Sequence, residues 1–184
     1  MNKHIADVYA DAILTAAECD EALASFPPTR PGETNASAVK RSSSVGFVGN
    51  PTRWSFWAKL YHLVQEVNDN LHRFDLVPRW KEFFDGTGTE PVQLAEYHVG
   101  NEYDWHLDIG PGPASLRKLS LSVQLTDPGE YDGGDLEIRG HVGQIRARGT
   151  AIIFPSFLLH RVTPVTRGVR RSLVAWAIGE KPFR

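Results

Sequence analysis

The residues best placed to do chemistry are a histidine and an aspartate two positions apart near the middle of the chain. His106 and Asp108 belong to residues 103–108, which read YDWHLD. In an extended backbone, side chains two positions apart leave the same face, so this imidazole and this carboxylate would lie side by side. Such a pair can chelate a divalent metal ion. A strand with one buried histidine and one solvated aspartate has the same pattern, so a metal site requires further ligands.

A later histidine supplies the third ligand. His160 follows an apolar strand, and Arg170 and Ser172 come shortly after it on a further apolar segment. Two histidines and one carboxylate form a facial triad with open coordination positions, the arrangement of non-heme Fe(II) oxygenases. An arginine on a neighbouring strand can bind the carboxylate of an oxo acid through two parallel hydrogen bonds. The pattern therefore predicts a metal site beside a site for an oxo acid.

Three motifs follow one another between residues 93 and 176. The first is Tyr97 followed by WHLD at 105–108, the second is EYDGGDL at 130–136, and the third is LHRVTPVTRG at 159–168 followed by Arg170. In this order they resemble the 2-oxoglutarate/Fe(II)-dependent dioxygenases of the prolyl 4-hydroxylase-like kind, and especially the bacterial PKHD-type hydroxylases. The resemblance covers about half of the chain. It is specific for the family and unspecific for the substrate.

The resemblance implies a role for each candidate site residue. It implies three iron ligands, His106, Asp108 and His160. Arg170 would pair with the distal carboxylate of the co-substrate 2-oxoglutarate, and Tyr97 would donate a hydrogen bond to the same molecule. Two further residues would contact the co-substrate, Gln124 and Ser172.

The activity implied by the resemblance uses Fe(II), 2-oxoglutarate and O2, with ascorbate as an optional reductant. 2-Oxoglutarate would be decarboxylated to succinate and CO2 while a substrate C–H bond is hydroxylated. The substrate stays open between a peptidyl residue such as proline, a free amino acid and another small molecule. Two other functions stay open: a non-catalytic cupin-like module that binds a metal or ligand, and a zinc hydrolase that activates water. Arg170 favours the dioxygenase, because a plain metal-binding module needs no clamp for a carboxylate.

The second half of the chain has the pattern of an antiparallel β protein. Residues 119–126 alternate apolar and polar side chains, which predicts a strand with one apolar and one polar face. The polar face, with Ser122 and Gln124, could face solvent, but we favour the interior of a barrel near the ligand. Residues 163–168 are predicted to turn into a final strand. Many short strands separated by turn signals, with no alternating helices, predict a sandwich or barrel. With the resemblance, the predicted fold is mainly β with flanking helices: a double-stranded β-helix, or jelly roll, backed by N-terminal helices.

The final strand should present two faces with different roles. Arg170 and Arg171 are neighbours, so their side chains must leave opposite faces of a strand. Arg170 shares its face with Ser172, Val174 and Trp176, which we expect to point into the barrel. Trp176, like Trp105 beside the first histidine, is expected to serve in packing.

The first half of the chain is predicted to supply two helices. Thr15 and Glu18 have the spacing of a capping box at the start of a helix that ends near Phe26. A second helix is predicted from about residue 52 to residue 74, capped by Thr52. Its apolar stripe, in which Asn68 is the one polar member, indicates burial against one sheet of the barrel.

The segments between these helices are predicted to be less regular. Residues 27–32 carry proline and glycine and should break any regular structure. Residues 33–44 are polar and predict an exposed loop, for which a lid over the substrate stays open as the alternative, and residues 44–48 predict a short strand. The basic residues scattered among the later strands are expected on a solvated face: Arg117, Lys118, Arg139, Arg146 and Arg148.

Composition limits the class of protein. The chain has 184 residues, which suits a single domain with a helical part at about 1–90 and a jelly-roll core at about 91–180. A net charge of -2 gives no reason to expect nucleic acid or an anionic membrane as partner. Cys19 is the single cysteine, so no intrachain disulfide can form. No signal peptide or membrane span is expected, and a cytoplasmic location follows. The sequence makes no prediction of oligomeric state.

Overall fold

The structure is a computed structural model that describes residues 7–32, 39–48, 53–77, 91–141 and 144–183. The strands are β1 (Tyr9–Ala12), β2 (Arg30–Pro31), β3 (Ser44–Val48), β4 (Val92–Tyr97), β5 (Tyr103–His106), β6 (Arg117–Gln124), β7 (Tyr131–Gly133), β8 (Leu136–Ile138), β9 (Thr150–Pro155), β10 (His160–Val162), β11 (Val165–Gly168) and β12 (Arg170–Ile178). The helices are α1 (Ala16–Ser25) and α2 (Trp57–Val67), and α2 continues into a π-helical turn (Asn68–His72). A short 3-10 helix covers Gly112–Leu116. None of the helices in these ranges is long and apolar enough to cross a membrane.

A seven-stranded antiparallel sheet faces two smaller sheets. The large sheet has the strand order β1-β9-β6-β12-β4-β3-β2, and the smaller ones are β5-β10-β8 and β11-β7. Apolar contacts join the two sides: Tyr97 of β4 packs with Val162 of β10, and Phe154 of β9 packs with Ile138 of β8. This sandwich of antiparallel sheets, with helices on one outer face, confirms the predicted mainly β jelly roll.

The period of two in β6 and β12 divides the large sheet into two faces. Leu119, Leu121 and Val123 of β6 face the helices and belong to one apolar core with Leu60 and Val64 of α2. Burying side chains of this size contributes roughly 1.5–3 kcal/mol each. The intervening side chains therefore face the space between the sheets, where a binding site can form.

Helix α1 begins with the predicted capping box. The Thr15 hydroxyl oxygen accepts a hydrogen bond from the Glu18 backbone N–H at 3.3 Å, and the Glu18 carboxylate accepts one from the Thr15 N–H at 2.7 Å. These reciprocal bonds satisfy two donors that a helix start leaves without partners. The helix buries Cys19 and Ala22 against the shared core.

Helix α2 starts later than predicted. It begins at Trp57 after Phe56, which provides no side-chain cap, and Thr52 lies outside the described residues.

The polar member of the apolar stripe predicted for this helix has a structural explanation. Asn68 is buried, its Nδ2 donates to the Phe74 carbonyl at 3.1 Å, and its Oδ1 accepts from the Phe74 N–H at 3.0 Å. Asn68 therefore closes the end of the helix, where an apolar residue could not.

Two segments that were predicted to be irregular pair as strands. Arg30 and Pro31 form β2 at the edge of the large sheet, where a proline without an N–H is tolerated. Residues 165–168, predicted as part of a turn, form β11 and pair with β7. The turn signals in that region come from Gly168, whose positive φ lets its backbone approach the Glu130 carbonyl. Pairing with a distant strand overrides these local signals.

The predicted exposed loop and solvated basic face are also partly wrong. Residues 33–38 of that loop lie outside the described residues, but Arg41 pairs with Tyr103 in a β-bridge and Ser43 is buried.

Of the basic residues that were predicted to lie on a solvated face, Arg139 is exposed as expected. Lys118, in contrast, is 4% exposed, and its Nζ lies 2.9 Å from the Asp75 carboxylate. An ammonium can be buried there because it is paired.

Candidate metal and co-substrate site

The two candidate histidines are cross-strand partners. His106 ends β5 and lies opposite His160 at the start of β10, with ring centroids 4.1 Å apart. The Nδ1 of His106 is 2.7 Å from the Asp104 carbonyl, and the Nδ1 of His160 is 2.9 Å from the Leu158 carbonyl. Because a carbonyl only accepts hydrogen bonds, each Nδ1 carries the proton in the neutral ring. Each Nε2 therefore keeps its lone pair, as a metal ligand requires.

The Asp108 carboxylate lies between these two nitrogens. Its Oδ1 is 3.8 Å from the His106 Nε2, and its Oδ2 is 3.5 Å from the His160 Nε2. Leu107 points outward and is 44% exposed, so His106 and Asp108 share a face as predicted. One ligand atom from each of the three residues lies within 4.8 Å of the others, and no second group of this kind occurs among the described residues. Ligand bonds of about 2.0–2.2 Å are compatible with a cluster of this size.

The electrostatic environment sets the protonation states that a metal site needs. Burial, followed by the neighbouring His160, lowers the pKa of His106 to about 4. Burial also opposes ionisation of Asp108, but His160, His106 and Arg117 outweigh it and lower the pKa of this carboxyl. Near neutral pH the site therefore offers a neutral His106 imidazole and an ionised Asp108, the forms that bind metal ions.

Several residues outside the metal cluster form hydrogen bonds with the carboxylate and the backbone of Asp108, and sequence analysis missed them. The Ser120 hydroxyl donates to Asp108 Oδ2 at 2.6 Å and lies 3.0 Å from the Ser156 hydroxyl. The Asp108 N–H donates to the Ser156 carbonyl at 3.0 Å, and Arg117 donates to the Asp108 carbonyl at 2.8 Å. Ser120 shares the inward face of β6 with Ser122, so the alternating pattern could have found it. Ser156 and Arg117 carry no comparable signal in the sequence.

Aromatic rings fix the two imidazoles in place. The Tyr103 ring stacks on His106 with centroids 3.5 Å apart and an interplanar angle of 10°. Phe154 contacts His160 at 4.8 Å with an angle of 67°. These contacts orient the rings and exclude water from one side of the cluster.

Arg170 is a buried cation beside this cluster. It begins β12, pairs with Tyr97 in the sheet register, and is 1% exposed. Its closest polar contact is from Nη1 to the Ser172 hydroxyl at 3.4 Å, and its buried Nε has no hydrogen-bond partner in the described part of the chain. Within that part no carboxylate pairs with it. A buried guanidinium is unfavourable unless an anion compensates it, so this position fits the carboxylate of an oxo acid.

Arg171 leaves the opposite face, as predicted for its neighbour on a strand. Its Nε donates to the Glu96 carboxylate at 2.6 Å, outside the sandwich. Arg170, Ser172, Val174 and Trp176 all border the interior. The predicted orientation of β12 is therefore confirmed.

The second of the two glycines in the second motif packs directly against Arg170. A Cβ on Gly133 would come within 2.1 Å of the Pro164 carbonyl oxygen, and one on Gly134 within 3.0 Å of the Arg170 Cδ. Both glycines have a positive φ, of 69° and 63°, which favours residues without a Cβ. The motif thus lets the β7–β8 connection close over the arginine.

One cavity of about 670 Å³ contains the metal cluster and Arg170. Tyr97 and Ser172 border it near Arg170, whose guanidinium carbon is 5.4 Å from the centre of the Tyr97 ring. Ser122 borders it as predicted. Gln124 is buried opposite Ser172 in the sheet register but is not among the residues that border the cavity.

The two tryptophans pack as expected and also border this cavity. The Arg161 guanidinium lies over Trp105 at 4.8 Å, and the Arg117 guanidinium lies over Trp176 at 3.7 Å. Cation–π contacts of this kind stabilise the walls of a pocket.

An antiparallel jelly roll with a His-Asp-His cluster and a buried arginine in one cavity can hold a metal ion beside an anionic ligand. Sequence comparison points to one family. Residues 92–178, a little under half of the chain, match the profile of the 2OG-Fe(II) oxygenase superfamily, so this stretch is similar to members of that superfamily.

Relatives in sequence include PKHD-type hydroxylases. One from Xylella fastidiosa strain 9a5c is 37% identical over 130 residues, which cover 62% of this chain and 56% of the relative. One from Teredinibacter turnerae is 41% identical over 94 residues, covering 47% of this chain and 42% of the relative. The chain thus spans about half the length of the curated relatives it matches.

Solved structures show the same fold at low sequence identity. A Pseudomonas putida prolyl-4-hydroxylase has a TM-score of 0.68 at 20% identity, covering 95% of this chain and 94% of that one. A Trichoplax adhaerens prolyl hydroxylase, solved with a peptide fragment of the hypoxia inducible factor oxygen degradation domain, has a TM-score of 0.68 at 17% identity, covering 95% and 84%. These likenesses confirm the predicted double-stranded β-helix.

Proposed function

We propose that this protein is a 2-oxoglutarate-dependent Fe(II) dioxygenase that hydroxylates a C–H bond of its substrate. 2-Oxoglutarate and O2 are consumed, succinate and CO2 are released, and ascorbate is an optional reductant. The observation that carries the proposal is the buried Arg170 in the same cavity as His106, Asp108 and His160. A metal-binding cluster alone fits several functions, whereas a buried guanidinium beside it fits an anionic co-substrate.

Each residue has a defined part in this proposal. The three candidate metal ligands are His106, Asp108 and His160. Bound Fe(II) and 2-oxoglutarate would together supply the oxidant for C–H hydroxylation. Arg170 would bind the distal carboxylate of the co-substrate through parallel hydrogen bonds, and Tyr97 would donate a further one. Ser172, 3.4 Å from Arg170, would orient the guanidinium, and Gln124 would support Ser172 from the adjacent strand.

The two other functions have less support from the site. A cupin-like binding module or a zinc hydrolase could use the same three ligands. Neither gives a reason to bury Arg170 and to surround it with Tyr97, Ser172 and a glycine pair. A hydrolase would also turn over without O2, which separates it from an oxygenase by experiment.

The proposed substrate is a peptidyl or free amino acid, proline included, or another small molecule. The names of the relatives as hydroxylases, and of the fold neighbours as prolyl hydroxylases, support this class. The net charge of -2 gives no general attraction to nucleic acid or anionic membranes, which we propose are not partners. We also propose a cytoplasmic location, where the buried thiol of Cys19 would stay reduced. The described helices and the large sheet share one core, which supports the proposal that they form a single domain.

Succinate formation tests this function. The protein is incubated aerobically with Fe(II), 2-oxoglutarate and a library of amino acids and peptides, with each component omitted in turn. We expect turnover to require Fe(II), O2 and 2-oxoglutarate together. His160→Ala should abolish it, and Arg171→Ala should not. Product formation under strict anaerobiosis, or with zinc in place of iron, would contradict the oxygenase and support the hydrolase.

A further inference from the structure

We propose that Gln93 determines substrate specificity, and that its side-chain carboxamide forms hydrogen bonds with a neutral amide group of the substrate. The inference rests on the proposed function and extends it to the chemical class of the substrate. It concerns a residue on β4 that is neither a candidate metal ligand nor part of the proposed co-substrate site.

The Gln93 carboxamide is a buried polar group without a partner. Gln93 is 7% exposed, and its side chain forms no hydrogen bond with another residue in the described part of the chain. A glutamine side chain offers two N–H donors and an acceptor oxygen. Burying such a group is unfavourable when its hydrogen bonds are not made. A ligand that supplied the missing partners would explain why this residue lies here.

The sheet register directs Gln93 into the space between the sheets. Strands β4 and β12 pair Tyr97 with Arg170 and Gln93 with Val174. Residues paired across two strands point to the same face, and so do residues two or four positions apart on one strand. Gln93 therefore shares the inner face of the sheet with Arg170, and both border the cavity.

The same register places Gln93 close to the metal cluster. Ser120 donates to Asp108 and pairs with Trp176 in the sheet. Val174, the partner of Gln93, lies two positions before Trp176 on β12. Since a strand advances about 3.3 Å per residue, the row of residues that contains Gln93 crosses the sheet roughly 7 Å from the row that contains Ser120. A substrate bound at the metal cluster would therefore lie within reach of this carboxamide.

The cavity continues past Gln93 towards the edge of the large sheet. Phe47 of β3 pairs with Gln93 on the side away from β12. Four residues of the edge strands β2 and β3 border the cavity: Arg30, Pro31, Val45 and Phe47. The candidate metal ligands and Arg170 belong to other strands and segments. This part of the cavity is therefore left for the substrate, and Gln93 lies at its entrance from the metal cluster.

The surroundings of Gln93 favour a neutral group over an ion. Its two partners in the sheet, Phe47 and Val174, are both apolar. An ammonium or carboxylate group loses more hydration energy than an amide in such surroundings. A carboxamide can donate to a carbonyl and accept from an N–H, and the N–H and C=O of one residue in an extended peptide leave the same side of the backbone. A peptide therefore matches both halves of the Gln93 side chain.

Matched amide and ester probes test the inference. The probes are Nα-acetyl amino acid N-methylamides, analogues in which an ester oxygen replaces either amide N–H, and the free amino acids. Succinate formation and product mass give kcat/KM for each probe. Calorimetry with the Mn(II)- and 2-oxoglutarate-loaded protein gives affinity without turnover. Urea denaturation of the metal-free protein gives the stability of each variant.

We expect the wild type to prefer an amide probe over at least one of its ester analogues by about tenfold. Gln93→Met has a similar size but no N–H donor, and it should reduce this preference to about twofold or less without changing the co-substrate KM. The same substitution should raise the urea midpoint of the metal-free protein, because it removes an unpaired buried amide. Gln144→Met, at an exposed position outside the cavity, is the control and should keep the wild-type preference.

Three results would overturn the role of Gln93. The first is equal use of amide and ester probes by the wild type, and the second is an amide preference that survives Gln93→Met. The third is a lower urea midpoint in Gln93→Met, because this would mean that the amide stabilises the folded protein. Gln93→Leu, checked by circular dichroism, takes the place of Gln93→Met if that variant does not fold.

The failure of the inference can be distinguished from that of the proposed function. Turnover of free amino acids alone, or binding of no amide probe by protein that still forms succinate, would overturn the amide class of substrate. Absence of succinate formation that depends on Fe(II) and 2-oxoglutarate would contradict the proposed function itself. Calorimetric binding of the probes would still test Gln93 in that case.

Discussion

The Asp108 carboxylate is oriented by a hydroxyl on a neighbouring strand, and this contact makes a testable prediction. Ser120 donates to Asp108 Oδ2 at 2.6 Å from a buried position on β6. Residues that orient a metal ligand typically change metal affinity by about 10–100-fold when they are removed. We expect Ser120→Ala to lose Fe(II) affinity within this range while the protein stays folded. Calorimetric titration with metal measures it.

Two further variants complete this comparison. Ser120→Thr keeps a hydroxyl and should retain most of the affinity. Ser25→Ala, at an exposed position near the end of α1, is the control and should bind metal like the wild type. Equal affinity for Ser120→Ala and Ser25→Ala would show that the hydroxyl does not position Asp108.

The adjacent arginines of β12 provide a second test at the scale of single residues. Arg170 is buried beside Tyr97, whereas Arg171 pairs with Glu96 on the outer face. Truncating one partner of a buried charge pair costs about 2–5 kcal/mol. Arg170→Ala should therefore raise the KM for 2-oxoglutarate by the factor that corresponds to this free energy, roughly 30-fold or more. Arg171→Ala should change it by about 1 kcal/mol or less, as expected for a surface pair. A larger effect at Arg171 would mean that the wrong arginine has been assigned to the co-substrate.

The low pKa of His106 predicts how the metal-free protein responds to acid. The folded protein holds this pKa at about 4, below the ordinary value of 6.5. The unfolded chain therefore takes up the proton first as the pH falls from 6.5 towards 4, and stability is lost across this window. We expect a loss of roughly 2 kcal/mol between pH 7 and pH 5 from this residue alone. Urea denaturation at both values should show a smaller loss for His106→Asn. An identical loss in the variant would contradict the role of His106.

At the scale of elements, the glycine pair at the end of β7 shapes the proposed co-substrate site. A Cβ on Gly134 would meet Val165 at 2.9 Å and the Arg170 Cδ at 3.0 Å, at a φ of 63°. An alanine in the left-handed region costs about 1–2 kcal/mol on its own. We expect Gly134→Ala to lose at least this much stability and to raise the KM for 2-oxoglutarate by about tenfold, because it displaces Arg170. Urea denaturation and steady-state kinetics measure the two effects.

Gly140 provides the matched control for this substitution. Its φ is also positive, at 85°, but nothing lies within 4 Å of an added Cβ. Gly140→Ala should therefore show the backbone strain without the change in KM. A KM change of equal size in both variants would indicate that strain, and not contact with Arg170, affects the site.

Elements governed by local pattern were predictable from the sequence, and those governed by distant pairing were not. The alternation in β6, the orientation of β12 and the capping box of α1 all follow from neighbouring residues. Strand β11 forms because β7 pairs with it, and residues 39–43 are ordered because they bond to β5. Neither partner can be identified from local propensity. Helix α2 likewise starts at Trp57, where burial of its stripe decides the boundary.

At the scale of the whole molecule, the jelly roll brings residues that are far apart in sequence into one cavity. The metal cluster could be predicted because His106 and Asp108 are two positions apart and His160 belongs to a recognisable motif. Ser156 and Arg117 could not, since their hydrogen bonds to Asp108 depend on how distant parts of the chain come together. The sequence thus predicts the candidate metal ligands better than the residues that orient them.

The central claim is that one cavity binds a metal ion through His106, Asp108 and His160 and an oxo acid through Arg170. Anaerobic calorimetric titration with Fe(II) and then with 2-oxoglutarate tests it most directly in wild type, His160→Ala and Arg170→Ala. We predict that the wild type binds both and binds 2-oxoglutarate tightly only with metal present. His160→Ala should lose both, and Arg170→Ala should keep the metal and lose affinity for 2-oxoglutarate. An affinity for 2-oxoglutarate that is unchanged by removal of the metal and by both substitutions would contradict the claim.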